Sequence, residues 1–218
     1  MTGRGGEREL PAGVVFDCDG TLIDTEPLSE RAWQEVLGRR GYVPTAEDFA
    51  AVLGRPGTYS FTYFDERVGL GDPDVLRREM RAAFDDCFEQ VEVFADAVAT
   101  IQELHAARVP VAVASSSSRR HVLRSIASCG LADVVVAAFG ADDVDDHKPH
   151  PRPYLAAAEA LGVPARRCSA VEDSRVGIAS ASAAGMFTVA VRRGNVPEAD
   201  LAGADRVVDE ITVAALVP

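Results

Sequence analysis

Short, largely apolar runs alternate along this chain with stretches in which apolar residues return every three or four positions. Val14-Val15-Phe16 is the first such run, and it stops at Asp17. Comparable runs recur at Val109–Ala114, Val134–Ala138, Cys168–Val171, Phe187–Val191 and Arg206–Val208. They are short, mostly rich in β-branched residues and without polar alternation, which predicts strands buried on both faces. Between most of them the spacing turns helical. Ala97–Ala107 brings Ile101 and Leu104 to one face, and Arg119–Cys129 does the same with Val122, Leu123 and Ile126. Pro153–Leu161 and Arg175–Ala184 follow, the latter closed by the helix stop Gly185. Strands alternating with helices predict an α/β fold with a doubly wound, Rossmann-like parallel sheet.

The segment from Thr25 to Val91 breaks this rhythm. It carries helical patterns around Leu28–Leu37, Ala46–Leu53 and Asp74–Cys87 and no convincing strand, so it reads as a helical cap inserted after the first strand. The expected division is a frayed Gly- and Arg-rich tail at 1–10, a core built from 11–24 and 92–218, and a cap at 25–91. No apolar run approaches the roughly 20 residues of a membrane helix, and no apolar signal segment follows the start. A cytoplasmic protein without membrane partners is expected, either a monomer or a weak homodimer.

With 22 basic against 34 acidic residues the formal charge is −12. There is no basic stripe of the kind a nucleic-acid binder needs, so no nucleic-acid partner is expected. An anionic substrate must be drawn in locally, by a metal or by a few placed cations. Of the 22 basic residues only Lys148 is lysine. Arg is a forked, delocalised cation and Lys a compact point charge, so the exception points to a position that demands the compact form. The cysteines, Cys18, Cys87, Cys129 and Cys168, form no C-x-x-C pair and no zinc spacing, and read as reduced, mostly buried thiols.

Ligands of an open parallel sheet bind beyond the carboxyl ends of its strands. The first strand is followed by Asp17, Cys18, Asp19, Gly20, Thr21 and Asp24; the second by Ser115; the third, after a loop, by Lys148; the fourth by Glu172 and Asp173. Asp17 and Asp19 alternate, so on an extended strand end both face the same side. Gly20 permits a tight turn there. A lone D-x-D-G is equally an ordinary polar turn, but its place after the first strand of an α/β pattern favours chemistry.

Asp17-Cys18-Asp19-Gly20-Thr21-Leu22-Ile23-Asp24 resembles the first motif of the haloacid dehalogenase superfamily. Ser115 after Val-Ala-Val-Ala resembles the second, Lys148 within His147–Pro151 the third, and Val171-Glu172-Asp173-Ser174 with Gly177 the fourth. The resemblance spans about Val14 to Val208, and the inserted helices match the subfamily whose cap lies between the first and second motifs. It implies that Asp17, the backbone carbonyl of Asp19 and Asp173 hold a magnesium ion, with Glu172 either joining them or acting from behind. The charges agree: four carboxylates against one lysine would repel a phosphate, and a hard oxygen-ligated cation resolves the conflict.

The resemblance and the needs of phosphoryl transfer imply the following expected roles. Asp17 attacks phosphorus and becomes an aspartyl phosphate. Asp19 protonates the leaving oxygen and later deprotonates water. Lys148 offsets charge on the phosphoryl oxygens, while Ser115 and backbone N–H groups near Gly20 and Thr21 complete the clamp. Arg55 is similar to a cap arginine of related sugar-phosphate enzymes and would grip a second phosphate, a carboxylate or a sugar hydroxyl, or else is a solvated loop cation. Ser116, Ser117 and Arg119 follow the second motif, and Ser117 and Arg119 could serve the same end as Arg55. Glu26 and Trp33 could line a cap–core cleft, and Trp33 is equally readable as plain cap core. The expected substrate is a small phosphorylated metabolite, a sugar phosphate foremost.

The cap contains no lysine, against a phosphonate-cleaving relative, and Asp19 argues against dehalogenase chemistry. Related β-phosphoglucomutases carry a His where this chain has Ser29 and a Lys near Ser118, and both are missing. A hexose-phosphate mutase, with Arg55 and Ser117 holding the idle phosphate, is nonetheless the alternative reading. A catalytically idle binding module is the third.

Overall fold

A computed structural model of the protein describes residues 9–52, 57–193 and 196–218. Six strands form one parallel sheet: β1 (Gly13–Phe16), β2 (Val111–Ala114), β3 (Ala137–Phe139), β4 (Cys168–Glu172), β5 (Phe187–Val191) and β6 (Arg206–Val208). The helices are α1 (Glu26–Gly38), α2 (Ala46–Val52), α3 (Gly57–Val68), α4 (Pro73–Cys87), α5 (Ala95–Ala106), α6 (Arg119–Ser128), α7 (Arg152–Leu161), α8 (Arg175–Ala183) and the short α9 (Glu198–Leu201).

The strand order is β3-β2-β1-β4-β5-β6. The chain winds one way from β1 to β3 and then returns to the other side of β1, which puts a topological switch point between β1 and β4. Val15 pairs with Ala112 on one side and Ala170 on the other. Every residue of β1, β2 and β4 is buried, as expected of strands covered on both faces. A central cluster of Val15, Ala112, Ala114, Ala170, Tyr154 and Ala157 joins α7 to the middle of the sheet.

Two predicted strands are shorter than the apolar pattern suggested. β2 starts at Val111 because Val109 N–H closes a turn onto the Leu104 carbonyl and Pro110 has no N–H for the ladder. β3 starts at Ala137 because Val134 and Val135 donate to the Leu131 carbonyl in a turn.

The chain divides into two compact units, Met1–Ile23 with Val93–Pro218, and Asp24–Glu92. The second is helical. Its core gathers Trp33, Val36 and Leu37 of α1, Phe64 of α3, and Leu76 and Ala83 of α4. The Trp33 and Phe64 rings lie 4.8 Å apart between centroids. Trp33 is thus part of this unit's apolar core. Asp72 caps α4 by accepting from the N–H groups of Asp74 and Val75, with Pro73 at the first helical position. Asp48 accepts from the Thr45 backbone N–H and from the hydroxyls of Thr45, Tyr42 and Tyr63.

Helix α3 had no counterpart in the sequence reading. Its run Gly-Thr-Tyr-Ser-Phe-Thr-Tyr-Phe is aromatic and β-branched, of weak helix propensity. Burial of Phe64 against Trp33 overrides that preference.

Candidate active site

The carboxyl ends of β1, β2 and β4 and the loop after β3 meet at the switch point. β1 ends in Asp17, whose N–H donates to the Val171 carbonyl of β4 at 2.9 Å. The chain then turns tightly, with Leu22 N–H bonded to the Cys18 carbonyl and Gly20 N–H to the Ile23 carbonyl, both at 2.8 Å. Gly20 takes φ +78°, and a Cβ on it would lie 2.0 Å from Asp173 Oδ2. Glycine is required there both by the backbone and by the close approach of the fourth-motif carboxylate.

Lys148 reaches into this junction, its side chain 3% exposed. Its Nζ donates to Asp17 Oδ1 at 2.5 Å and to Glu172 Oε1 at 2.6 Å. Glu172, at the end of β4, is fully buried. Its Oε1 also accepts from the Tyr154 hydroxyl at 2.7 Å. Its Oε2 accepts from the Ser174 hydroxyl at 3.0 Å and from the N–H groups of Asp173 and Ser174 at 3.2 and 3.3 Å. Ser174 in turn caps α8 by accepting from Gly177 N–H.

Oxygens of Asp17, Glu172 and Asp173 all lie within 4.8 Å of one another. Burial pushes the Asp17 carboxyl well above its usual range; Lys148 opposes this, and Glu172, Asp173 and Asp19 add to it. Asp173 is pushed up to about 8 by burial and by Glu172, against Lys148. Burial works against the Lys148 charge, but Asp17 and Glu172 outweigh it and hold the ammonium above its ordinary value. A lone ammonium therefore leaves this carboxylate set undercompensated. Adjacent hard oxygen donors in need of positive charge are the chemistry of a divalent-cation site.

Asp19 lies on the other flank. Its Oδ2 accepts from Ser117 Oγ at 2.7 Å and from Ser115 Oγ at 3.3 Å, and its Oδ1 bonds His121 Nε2 at 2.7 Å. Burial alone would raise the Asp19 carboxyl, but the bonds from His121, Ser117 and Ser115 prevail and lower it. Cys18, Asp19 and His121 also approach within 4.8 Å of one another. That trio is a hydrogen-bonded cluster: Asp19's oxygens are already engaged, and burial pushes the sealed Cys18 thiol well up, away from the thiolate that a soft metal needs.

The structure thus brings together Asp17, Asp19, Ser115, Ser117, Lys148, Glu172 and Asp173. Thr21 is fully buried behind Gly20, and its hydroxyl finds no partner among the described residues. Ser116 is exposed. Arg119 engages its neighbours: its guanidinium donates to the Ala138 carbonyl at 2.8 Å and to Asp143 at 3.2 Å, and its N–H to Asp142 Oδ1 at 2.5 Å. Gly140 permits this approach, since a Cβ there would lie 2.2 Å from Arg119 N. Glu26 opens α1 in the helical unit, its N–H bonded to Asp24 Oδ1. Arg55 lies outside the described residues.

The sequence reading missed two members of the site. His121 sits in the first turn of α6, the helix that follows the second motif. A helix entering from a strand's carboxyl end turns its first residues back toward the site, and that placement was the available signal. Tyr154 follows Lys148 by six positions and is fully buried; a buried phenol needs a hydrogen-bond partner.

The sequence model of the haloacid dehalogenase-like hydrolases matches residues 14–191. The fructose-1-phosphate phosphatase YqaB of Escherichia coli (strain K12) is 34% identical over 192 residues, covering 84% of this chain and 98% of that protein. Hexitol phosphatase A of the same organism is 32% identical over 183 residues and 82% of each chain. Among solved structures, a mutant CbbY of Rhodobacter sphaeroides in complex with xylulose-(1,5)bisphosphate superposes with a TM-score of 0.79 at 26% identity, covering 96% of this chain and 100% of that one.

Proposed function

The chain belongs to the haloacid dehalogenase-like hydrolase family and is a phosphatase of it, and on this premise we propose that it hydrolyses small phosphorylated metabolites, sugar phosphates foremost, through an aspartyl phosphate on Asp17. One observation carries the reading: the Asp17 carboxylate is pinned at Oδ1 by the chain's single lysine, with two further carboxylates within 4.8 Å. That arrangement suits a nucleophile poised under a phosphoryl group, and the names of the two phosphatase relatives support the substrate class.

The Lys148 contact fixes one Asp17 oxygen and leaves the other to attack phosphorus. Lys148, compact and sealed from water, offsets charge on the phosphoryl oxygens. Asp19 gives a proton to the leaving oxygen and takes one from the attacking water in the second half-reaction. Asp17, the Asp19 carbonyl and Asp173 would hold magnesium, which supplies charge neutralisation of the phosphoryl group. Glu172 acts from behind, since both of its oxygens are engaged by Lys148, Tyr154, Ser174 and backbone N–H groups. The helical unit selects the substrate, as the inserted cap of the same polypeptide.

The test is phosphate release from p-nitrophenyl phosphate and a sugar-phosphate panel, with magnesium and with EDTA. Turnover that depends on the metal and vanishes in folded Asp17→Asn is expected. Folded protein that releases phosphate from none of the compounds with magnesium present would overturn the reading. Phosphorus NMR on glucose 1-phosphate separates free phosphate from the glucose 6-phosphate of a mutase.

A further inference from the structure

We propose that His121 is a positioning residue that fixes the plane of the Asp19 carboxylate for proton transfer. The inference rests on the reading of Asp19 as the acid–base. An aspartate carboxylate turns about a broad, two-fold sp³–sp² torsion, so its own rotamer preference does not aim it. Ser115 and Ser117 both donate to Oδ2, at 3.3 and 2.7 Å. The carboxylate is rigid and turns as a unit about the Cβ–Cγ bond, so donors on one oxygen restrain that rotation from one side only. The hydrogen bond between His121 Nε2 and Oδ1, at 2.7 Å, restrains it from the other side.

His121 is itself held. Ser118 caps α6 and accepts from the His121 N–H at 3.4 Å. One turn later Ser125 Oγ donates to the His121 carbonyl at 2.9 Å and lies 3.5 Å from Nε2. Val122 and Ile126 bury the same helix against the core. The imidazole is 16% exposed, so the bond to Asp19 is shielded from competing water.

Asp19 acts twice in a turnover. As the bond from Asp17 to phosphorus forms and the bond to the leaving oxygen breaks, the Asp19 proton goes to that oxygen. As water attacks phosphorus and releases Asp17, a water proton returns to Asp19. Both transfers need a carboxyl oxygen aimed at a partner it does not otherwise touch, and a small error in aim is expensive in rate.

The test uses the full-length enzyme at saturating magnesium, with p-nitrophenyl phosphate and a simple alkyl phosphate as probes. Nitrophenolate leaves without protonation, whereas an alkoxide does not. In His121→Phe, which keeps a planar ring without the donor, first-turnover nitrophenolate release should keep its wild-type rate. The following steady state should slow about 10-fold or more, because the base that activates water is no longer held in aim. With the alkyl phosphate kcat should fall about 100-fold. KM for p-nitrophenyl phosphate should fall together with kcat, as a slowed second step requires, and the magnesium dependence should stay unchanged. His121→Gln, which returns an N–H near the Nε2 position, should recover to within a few-fold of wild type. If the Phe variant does not fold, His121→Asn, whose amide falls short of Oδ1, takes its place with the same expectation.

Equal slowing of both substrates with loss of the fast first turnover, or wild-type rates in the variants that lack the donor, would overturn the role of His121. Asp19→Asn separates the two readings. If it turns over normally, the acid–base assignment itself fails. If it shows the fast first turnover and a slow steady state while the His121 variants do not, only the inference about His121 fails.

Discussion

One methyl group placed behind the site, at Gly177, should disable Lys148 without touching the phosphoryl pocket. A Cβ at Gly177 would lie 1.7 Å from Glu172 Oε1 and 2.1 Å from Oε2. An ordinary carbon–oxygen approach is about 3.3 Å, so Oε1 must retreat by roughly 1.6 Å. That oxygen holds Lys148 Nζ at 2.6 Å and the Tyr154 hydroxyl at 2.7 Å. With an effective dielectric near 20, lengthening the ion pair from its present distance to about 4.2 Å weakens it by about 2 kcal/mol. Glu172 is fully buried, so water does not make good the difference. Passed on to the placement of Lys148, about 2 kcal/mol corresponds to roughly a 30-fold fall in kcat. The assay is steady-state hydrolysis of p-nitrophenyl phosphate by Gly177→Ala at saturating magnesium, beside a thermal melt to establish that the protein is folded. A folded Gly177→Ala with wild-type kcat would refute the idea that Glu172 governs the position of Lys148.

Three further outcomes follow from the same geometry. Lys148→Arg keeps the charge but puts a fork into a 3%-exposed slot between two carboxylates, so kcat should drop about 100-fold; near-normal rates would contradict the case for a compact cation. In EDTA, Asp173 is pushed up to about 8 from 3.8, so its contribution to stability is complete below about pH 4 and is lost as the pH rises through about 8. Magnesium needs the ionised ligands and should therefore raise Tm more at about pH 9 than at about pH 6; an equal shift at both would count against a carboxylate-bound metal. In the helical unit Asp48 is depressed to about 2, chiefly by the Thr45 backbone N–H, so its stabilisation is present above about pH 4 and lost as the pH falls toward 2. Asp48→Asn should cost about 2 kcal/mol in urea unfolding at about pH 7, with the gap roughly halved at about pH 3 and closing toward about pH 2; a gap independent of pH would refute this.

Runs such as Val14–Phe16 and Phe187–Val191 announced buried strands because a parallel sheet covered on both faces leaves no room for polar alternation. The carboxylates were legible for a related reason: a strand's carboxyl end has a fixed place in a doubly wound sheet, so Asp17, Ser115 and Asp173 could be assigned to one rim from order alone. Lys148 stood out by composition, as one lysine among 22 cations. Helix α3 was hidden because its local preference runs against its final state, and only Phe64 packing on Trp33 reverses it.

The sequence by itself determined the layer order, the strand ends and the residue types available for phosphoryl chemistry, because these depend on local pattern and on topology. The tertiary structure alone decided how those residues use one another. Glu172 stands behind Lys148 rather than facing outward because Tyr154, eighteen positions earlier, donates to it from helix α7. His121 meets Asp19 across 102 positions for a similar reason: α6 is docked by its apolar face, and the imidazole goes where that docking sends it. Such contacts are set by packing between elements distant in sequence, and spacing along the chain carries no record of them.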